Sequence, residues 1–262
     1  MTNIGDNAFS ECSSLTNINI PNSVTNIGNG AFVACSSLSN INIPNSVTNI
    51  GDHAFSLCDL LTNINIPNSV VNMNGNPFCW WNGDLHNESK AFIYEHQVLF
   101  NKDKTTLIAY RSKEKNYIIP NSVANIGIRA FGGCESLTNI NIPNSVTTIG
   151  NYAFPMCSSL TNINIPNSVT TIGNYAFASC RSLTNINIPN SVTNIGDSAF
   201  SDCSSLTSIN IPNSVTDIGN GAFEGCKNLP SKIKSDIIKR FGEKVFESWS
   251  FLIPSAGSAK EH

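Results

Sequence analysis

The side chains in this sequence most capable of chemistry are nine cysteines and four histidines. The cysteines are Cys12, Cys35, Cys58, Cys79, Cys134, Cys157, Cys180, Cys203 and Cys226. Cys79 comes directly after Phe78, and each of the other eight follows a phenylalanine by three residues. A disulfide framework would need pairs. The odd count and the single cysteine per recurring segment argue against one. Zinc would need close pairs such as Cys-x-x-Cys, and the sequence has none. The expectation is a ladder of buried free thiols acting as small hydrophobes. Such thiols suit a reducing compartment, and an oxidising one only while they stay buried.

The histidines are His53, His86, His96 and His262. His86 and His96 lie near Asp84, Glu88 and Glu95, a set that would suggest a metal. Their spacing matches no motif with a mechanism behind it. Catalysis wants acids, bases or nucleophiles converging in a pocket, and nothing in the sequence points to that. The chain therefore reads as a non-enzyme with no cofactor and no metal.

Those cysteines keep time with a repeat that must position everything else. Pro-Asn-Ser-Val begins at Pro21, Pro44, Pro67, Pro120, Pro143, Pro166, Pro189 and Pro212. The steps are 23 residues except one of 53, between Pro67 and Pro120. The unit reads Leu-x-x-Ile-x-Ile-Pro-Asn-Ser-Val-x-x-Ile-Gly-x-x-Ala-Phe-x-x-Cys-x-x. In the copy from Leu15, Ile18 and Ile20 alternate with Asn17 and Asn19, the pattern of a half-buried strand. Pro21 ends that strand, and Asn22 and Ser23 form a turn. Val24 and Ile27 point a second short segment inward. Gly28 allows a sharp bend in which φ turns positive. Ala31, Phe32 and Cys35 recur at one-turn spacing, which predicts a short helix or 3₁₀ turn on the core. One unit cannot bury its own apolar face, so the units must stack into a shared core. Parallel strands of successive coils would then sit roughly 4.8 Å apart, in an elongated, curved, right-handed solenoid.

This unit closely resembles the leucine-rich repeats of the BspA type, named for bacterial surface proteins. The resemblance covers nearly the whole chain, since the Ile-Pro-Asn-Ser-Val, Ile-Gly and Ala-Phe-x-x-Cys elements repeat in register. It implies a leucine-rich-repeat solenoid, commonly at a cell surface or secreted, with adhesive or host-binding roles. It brings no catalytic residues and names no ligand.

Charge is distributed unevenly. Charged residues make up 13% of the chain, against a usual share of roughly 25%. The net charge of −3 argues against a nucleic-acid binder that neutralises phosphates. No apolar run is long enough to cross a membrane. The N-terminus shows no signal peptide, which leaves a cytoplasmic location as the alternative to the cell surface. Residues 1–72 contain no Lys or Arg, whereas residues 73–130 carry seven basic and five acidic residues.

The 53-residue step thus holds an aromatic, charged island at about 73–119, interrupting a solenoid of residues 1–229. Phe92-Ile93-Tyr94, Gln97–Phe100 and Thr106–Tyr110 read as strands around a polar turn at Asn101–Lys104. The expectation is a β-hairpin excursion or a distorted double coil that rejoins the solenoid at Tyr117. Its aromatics either fill a small core of their own or form a contact surface. Candidate partner-binding residues are Trp80, Trp81, Phe92, Tyr94, Lys102, Lys104, Tyr110 and Arg111. Asn139, Asn141, Asn162 and Asn164 join them from the exposed strand rows. Asn rows can also bond side chain to side chain along a stack.

Residues 230–253 read as a C-terminal cap and 254–262 as a flexible tail. Pro230 suits a helix N1 position, and Ile233, Ile237, Ile238 and Phe241 form one apolar face. That helix would cover the last coil, although a basic amphipathic helix can instead bind membranes. No comparable cap precedes the first coil. An upstream region or end-to-end self-association is the corresponding expectation. The leading functional expectation is a protein-binding or adhesive module, with a host extracellular-matrix or plasma protein as partner. An intracellular scaffold is the alternative. A regular-lattice binder of glycan or ice is a weaker one.

Overall fold

The computed structural model describes residues 2–248. The expected flexible tail, 254–262, and the end of the expected cap, 249–253, lie outside the described residues. The chain winds into a β-solenoid of about nine turns with a repeat of about 23 residues. A regular coil contributes a three- or four-residue strand and a two-residue strand that pair in parallel with their counterparts in the next coil, although Asn40–Asn42 and Asn63–Ile66 belong to separate sheets. Asn139, Ile140 and Asn141 belong to the first kind, in register with Asn162 and Ile163. Thr148 and Ile149 belong to the second, in register with Thr171 and Ile172. Isoleucine points inward from both: Ile163 and Ile172 are buried, while Asn162, Asn164 and Thr171 are exposed.

The segment around Ala-Phe-x-x-Cys departs from expectation in an informative way. Its local bonds do have the 3₁₀ pattern, as in Ala31 N–H to Gly28 and Cys35 N–H to Phe32. They do not run on into a helix. Residues such as Gly30 (φ 59°) and Ala34 (φ 59°) turn left-handed. Alternate amides therefore point sideways, and Gly30, Phe32 and Ala34 donate to Asp52, Ala54 and Ser56 of the next coil. The turns form a third inter-coil ladder, which satisfies backbone groups that would otherwise be orphaned.

Gly28 also has a different role from the one expected. Left-handed φ comes later, at residues 30 and 34, and not at Gly28. What Gly28 supplies is space, because a Cβ there would lie 2.6 Å from the amide nitrogen of Asp6.

Phenylalanines stack along the axis, for example Phe154 on Phe177 at 5.2 Å with the ring planes nearly parallel. The stack is interrupted between Phe78 and Phe131, where the island enters. Asp84–Asn87 continues the first-strand ladder beside Asn63–Ile66. The strands Phe92–Glu95, Val98–Asn101 and Thr106–Tyr110 then form an antiparallel meander. Thr106 and Leu107 rejoin the second-strand ladder opposite Asn125 and Ile126. Asn116–Ile118 restarts the first ladder, against Asn139–Asn141.

The meander separates two cores. Val98, Phe100, Leu107 and Tyr110 pack into the C-terminal one. Leu99, Ile108 and Ala109 pack into the N-terminal one. At the far end the helix Ser231–Phe241 lays Ile233, Ile237 and Phe241 on the last coil. Pro230 stands at its N-cap, one position before the expected N1. Arg240 pins the helix by donating to the carbonyls of Ile211 (2.8 Å) and Pro212 (3.0 Å).

Candidate functional site

The side chains that break the repeat gather where the island begins. In most coils the third residue after the stacked phenylalanine is a ladder cysteine, but after Phe78 it is Trp81. The Trp81 indole is buried, lies 5.8 Å from the Phe78 ring and donates Nε1–H to Leu61 O at 2.7 Å. Gly83 lets the chain pass this ring, since a Cβ there would sit 2.4 Å from the Trp81 ring and 2.6 Å from Leu61 O. Trp80 precedes it in left-handed backbone, φ 56°, and stays half-buried. Arg111 comes in from the end of the meander. Its guanidinium stacks 4.4 Å over Trp81 and donates to the carbonyls of Trp81 (3.2 Å) and Gly83 (2.5 Å). Burial depresses its pKa from the usual arginine value. Trp80, Trp81, Asn82, Gly83 and Asp84 line an open cleft of about 310 Å³ with Cys58, Asp59, Leu61 and Thr62.

Two further clefts lie on the exposed strand face. One, of about 570 Å³, includes Asn121, Asn141, Pro143 and Asn164. The other, of about 550 Å³, includes Asn42, Pro44, Asn65 and Glu88. Pro44 and Pro143 hold the same place in their repeats, so these two clefts are products of stacking. The expected bonding along the Asn rows is realised only locally, as in Asn210 to Asn187 at 3.3 Å and Asn65 to Glu88 at 2.9 Å. Asn139, Asn141, Asn162 and Asn164 are exposed and leave their amides to solvent.

The structure divides the other candidates. Trp81, Phe92 and Tyr110 are buried, which withdraws them from any contact surface. The apolar bulk of each is needed inside: Phe92 in the N-terminal core, and Tyr110 stacked 5.0 Å from Phe131 in the place of a repeat phenylalanine. Arg111 is likewise committed to Trp81 and Gly83. Lys104 is paired with Glu95 at 2.6 Å, beside half-buried Tyr94, and Lys102 is exposed at the meander tip. His86 and His96 are both exposed, and among the described residues no three His, Cys, Asp or Glu side chains converge as metal ligands.

Sequence reasoning missed a polar clasp. Arg129 Nη1 pairs with Asp52 Oδ2 across 77 positions, and Arg129 O accepts from Asn76 Nδ2 at 2.9 Å. The Arg129 guanidinium also lies 4.3 Å over Tyr152, which stacks on Tyr175 at 4.6 Å. The available signal was that Arg129 is the one Lys or Arg in the repeats flanking the island on that side before Arg181.

The fold and its exposed faces define a leucine-rich-repeat solenoid. The family model for the BspA type leucine rich repeat region matches residues 1–83 and 109–230 in six copies, and the chain belongs to that family. A leucine rich cell surface protein from Faecalibacterium prausnitzii is 34% identical. That match covers 88% of this chain and 68% of the other, with a TM-score of 0.73. The pneumococcal vaccine antigen PcpA shares the fold at 23% identity, with a TM-score of 0.72 over 94% of this chain and 70% of its own. A leucine-rich repeat protein from Eubacterium ventriosum shares it at 24% identity, covering 86% and 80%, with a TM-score of 0.57. No curated protein matches the chain. Proteins of this repeat family are typically non-catalytic.

Proposed function

We propose that this chain is a non-catalytic, adhesive protein-binding module of a cell-surface leucine-rich-repeat protein. The observation that carries the reading is the exposed Asn face, whose amides largely lack protein partners on a scaffold akin to a cell surface protein. Amides that both donate and accept can meet a partner's backbone without a charge to neutralise. Burial of seven of the nine thiols supports the surface location, because it removes the main objection to an oxidising compartment.

The test is interferometry of the purified chain against extracellular-matrix and plasma proteins. Saturable binding that is lost when Asn141→Tyr and Asn164→Tyr fill the strand-face cleft supports the reading. Absence of binding across the panel sinks it. Deleting the island is not a usable control, because its strands fill both cores.

A further inference from the structure

The turn face carries a pair of phenols that the adhesive reading does not use. Two residues after the repeat glycine stands Tyr152 in one coil and Tyr175 in the next. The same place holds Asn7, Gly30, His53, Arg129, Ser198 and Gly221 in other coils, so the pair is no demand of the repeat.

The backbone decides how the two rings meet. Tyr152 and Tyr175 share the left-handed φ that is ordinary at this place, 53° and 54°. Each donates its amide to the coil ahead, Tyr152 to Asn174 O at 2.7 Å and Tyr175 to Asp197 O at 2.8 Å. Matching backbones one coil apart send their side chains out in the same direction. The rings therefore stack, with centroids 4.6 Å apart and planes 3° from parallel. Equivalent edges lie side by side, which sets a carbon ortho to one hydroxyl beside its counterpart on the other ring.

Two features separate this pair from the other tyrosines. Both rings are half-buried, so an edge of each meets solvent. The Arg129 guanidinium, from the coil before, lies 4.3 Å over the Tyr152 ring. Tyr152 is thus held between a cation and the second phenol. Tyr110 and Tyr117 have the same centroid separation, 4.6 Å, but their planes cross at 50°. Tyr110 is also buried, and its hydroxyl donates to Glu114 O at 3.3 Å.

We propose that Tyr152 and Tyr175 are a modification site, at which oxidation by peroxide couples the two phenols into a dityrosine bridge between adjacent coils. Each phenol gives up one electron and its hydroxyl proton, which leaves two tyrosyl radicals. The unpaired electrons pair in one carbon–carbon bond between the ortho carbons. Each of those carbons then loses its hydrogen as a proton and each oxygen regains one, which restores both phenols. Hydrogen peroxide, acting through a haem peroxidase, takes up the two electrons and two protons and leaves as two waters. The stack supplies proximity, because radicals held one ring apart couple before either meets a second molecule. The backbones already stand at the spacing of adjacent coils, roughly 4.8 Å, so the bonded geometry takes side-chain rotation alone. The bridge adds a covalent tie to a stack otherwise held by neighbour contacts. The site stands independently of the adhesive reading.

The test exposes the dilute full chain to hydrogen peroxide and a haem peroxidase, then reduces any disulfides. The expected product runs as a monomer on a denaturing gel, shows the blue emission of a biphenol and is lighter by two hydrogens. Its yield should not change on dilution, and chymotryptic peptides should place the link between Tyr152 and Tyr175. Oxidation of exposed Met156 adds an oxygen and is told apart by mass. Tyr152→Phe and Tyr175→Phe, which keep the ring stack, should each abolish the emission of the monomer, whereas Tyr117→Phe should retain it. A link found in dimers alone, a link mapped to Tyr94, Tyr110 or Tyr117, emission that survives Tyr175→Phe, or no link at all overturns the proposal.

Discussion

At the scale of single residues, the cysteine ladder is explained by what each thiol touches. Cys58, Cys157, Cys180, Cys203 and Cys226 each donate Sγ–H to the phenylalanine carbonyl 26 residues back, at 3.1–3.2 Å. A thiol is small enough to sit beneath the stacked rings, and its weak donor adds a second, inter-coil bond to a carbonyl that already accepts from its own turn's cysteine amide. Burial pushes Cys58, Cys79 and Cys226 up to about 12 and Cys35 to about 11. The folded state thus holds protons that the unfolded chain releases above about pH 9. Stability from these groups is complete below the unfolded pKa and is lost as pH rises toward 11 and 12. Thermal melts under reducing conditions should therefore be flat from neutral pH to about 8 and fall steadily above about 9. Thiol titration at pH 8 should show exposed Cys12 reacting first and half-buried Cys134 later, with the remaining seven silent until denaturant is added. Rapid reaction of three or more thiols would contradict the buried ladder.

At the scale of elements, each coil is held to the next by backbone ladders and by a side-chain ladder the sequence did not announce. Asn151 Oδ1 accepts from Asn174 N–H at 2.9 Å, Asn174 Oδ1 from Asp197 N–H at 2.9 Å, and Asp197 Oδ1 from Asn220 N–H at 2.8 Å. The same column carries Asp6, Asn29 and Asp52 in the N-terminal coils. At Ile128 it is interrupted, and there Arg129 reaches back to Asp52. Asn174→Ala leaves the Asp197 amide without its acceptor and should cost about 1 kcal/mol in denaturant unfolding. Thr171→Ala, three residues earlier in the same coil and exposed, should stay within about 0.5 kcal/mol. Equal costs for the two would mean that the column is decorative. The strands were legible because isoleucine and asparagine alternate, and the meander because aromatic runs flank a polar turn. The left-handed turn ladder was not legible. Ala34, Tyr152 and Met156 are not residues that favour positive φ, and each donates its amide to the next coil from that conformation. Nor was the fate of Trp81 legible, since its burial depends on the missing ladder cysteine and on Gly83 making room.

At the scale of the whole molecule, the question is whether the two cores behave as one. Repeat arrays owe their stability to neighbour contacts, so a weakened boundary can uncouple the parts on either side. Here the boundary is the meander, and adjacent residues of one strand serve opposite sides. Leu99 packs into the N-terminal core and Phe100 into the C-terminal one. Each truncation to alanine should cost about 2–5 kcal/mol, but in different places. Amides that bond the next coil report on each side: Phe32 and Phe55 for the first core, Phe177 and Phe200 for the second. In Leu99→Ala, hydrogen exchange should accelerate more at Phe32 and Phe55 than at Phe177 and Phe200, and in Phe100→Ala the order should reverse. If both substitutions accelerate all four amides alike, the strand transmits every loss across itself. The clasp of Asp52, Asn76 and Arg129 would then be closing a single cooperative unit rather than joining two.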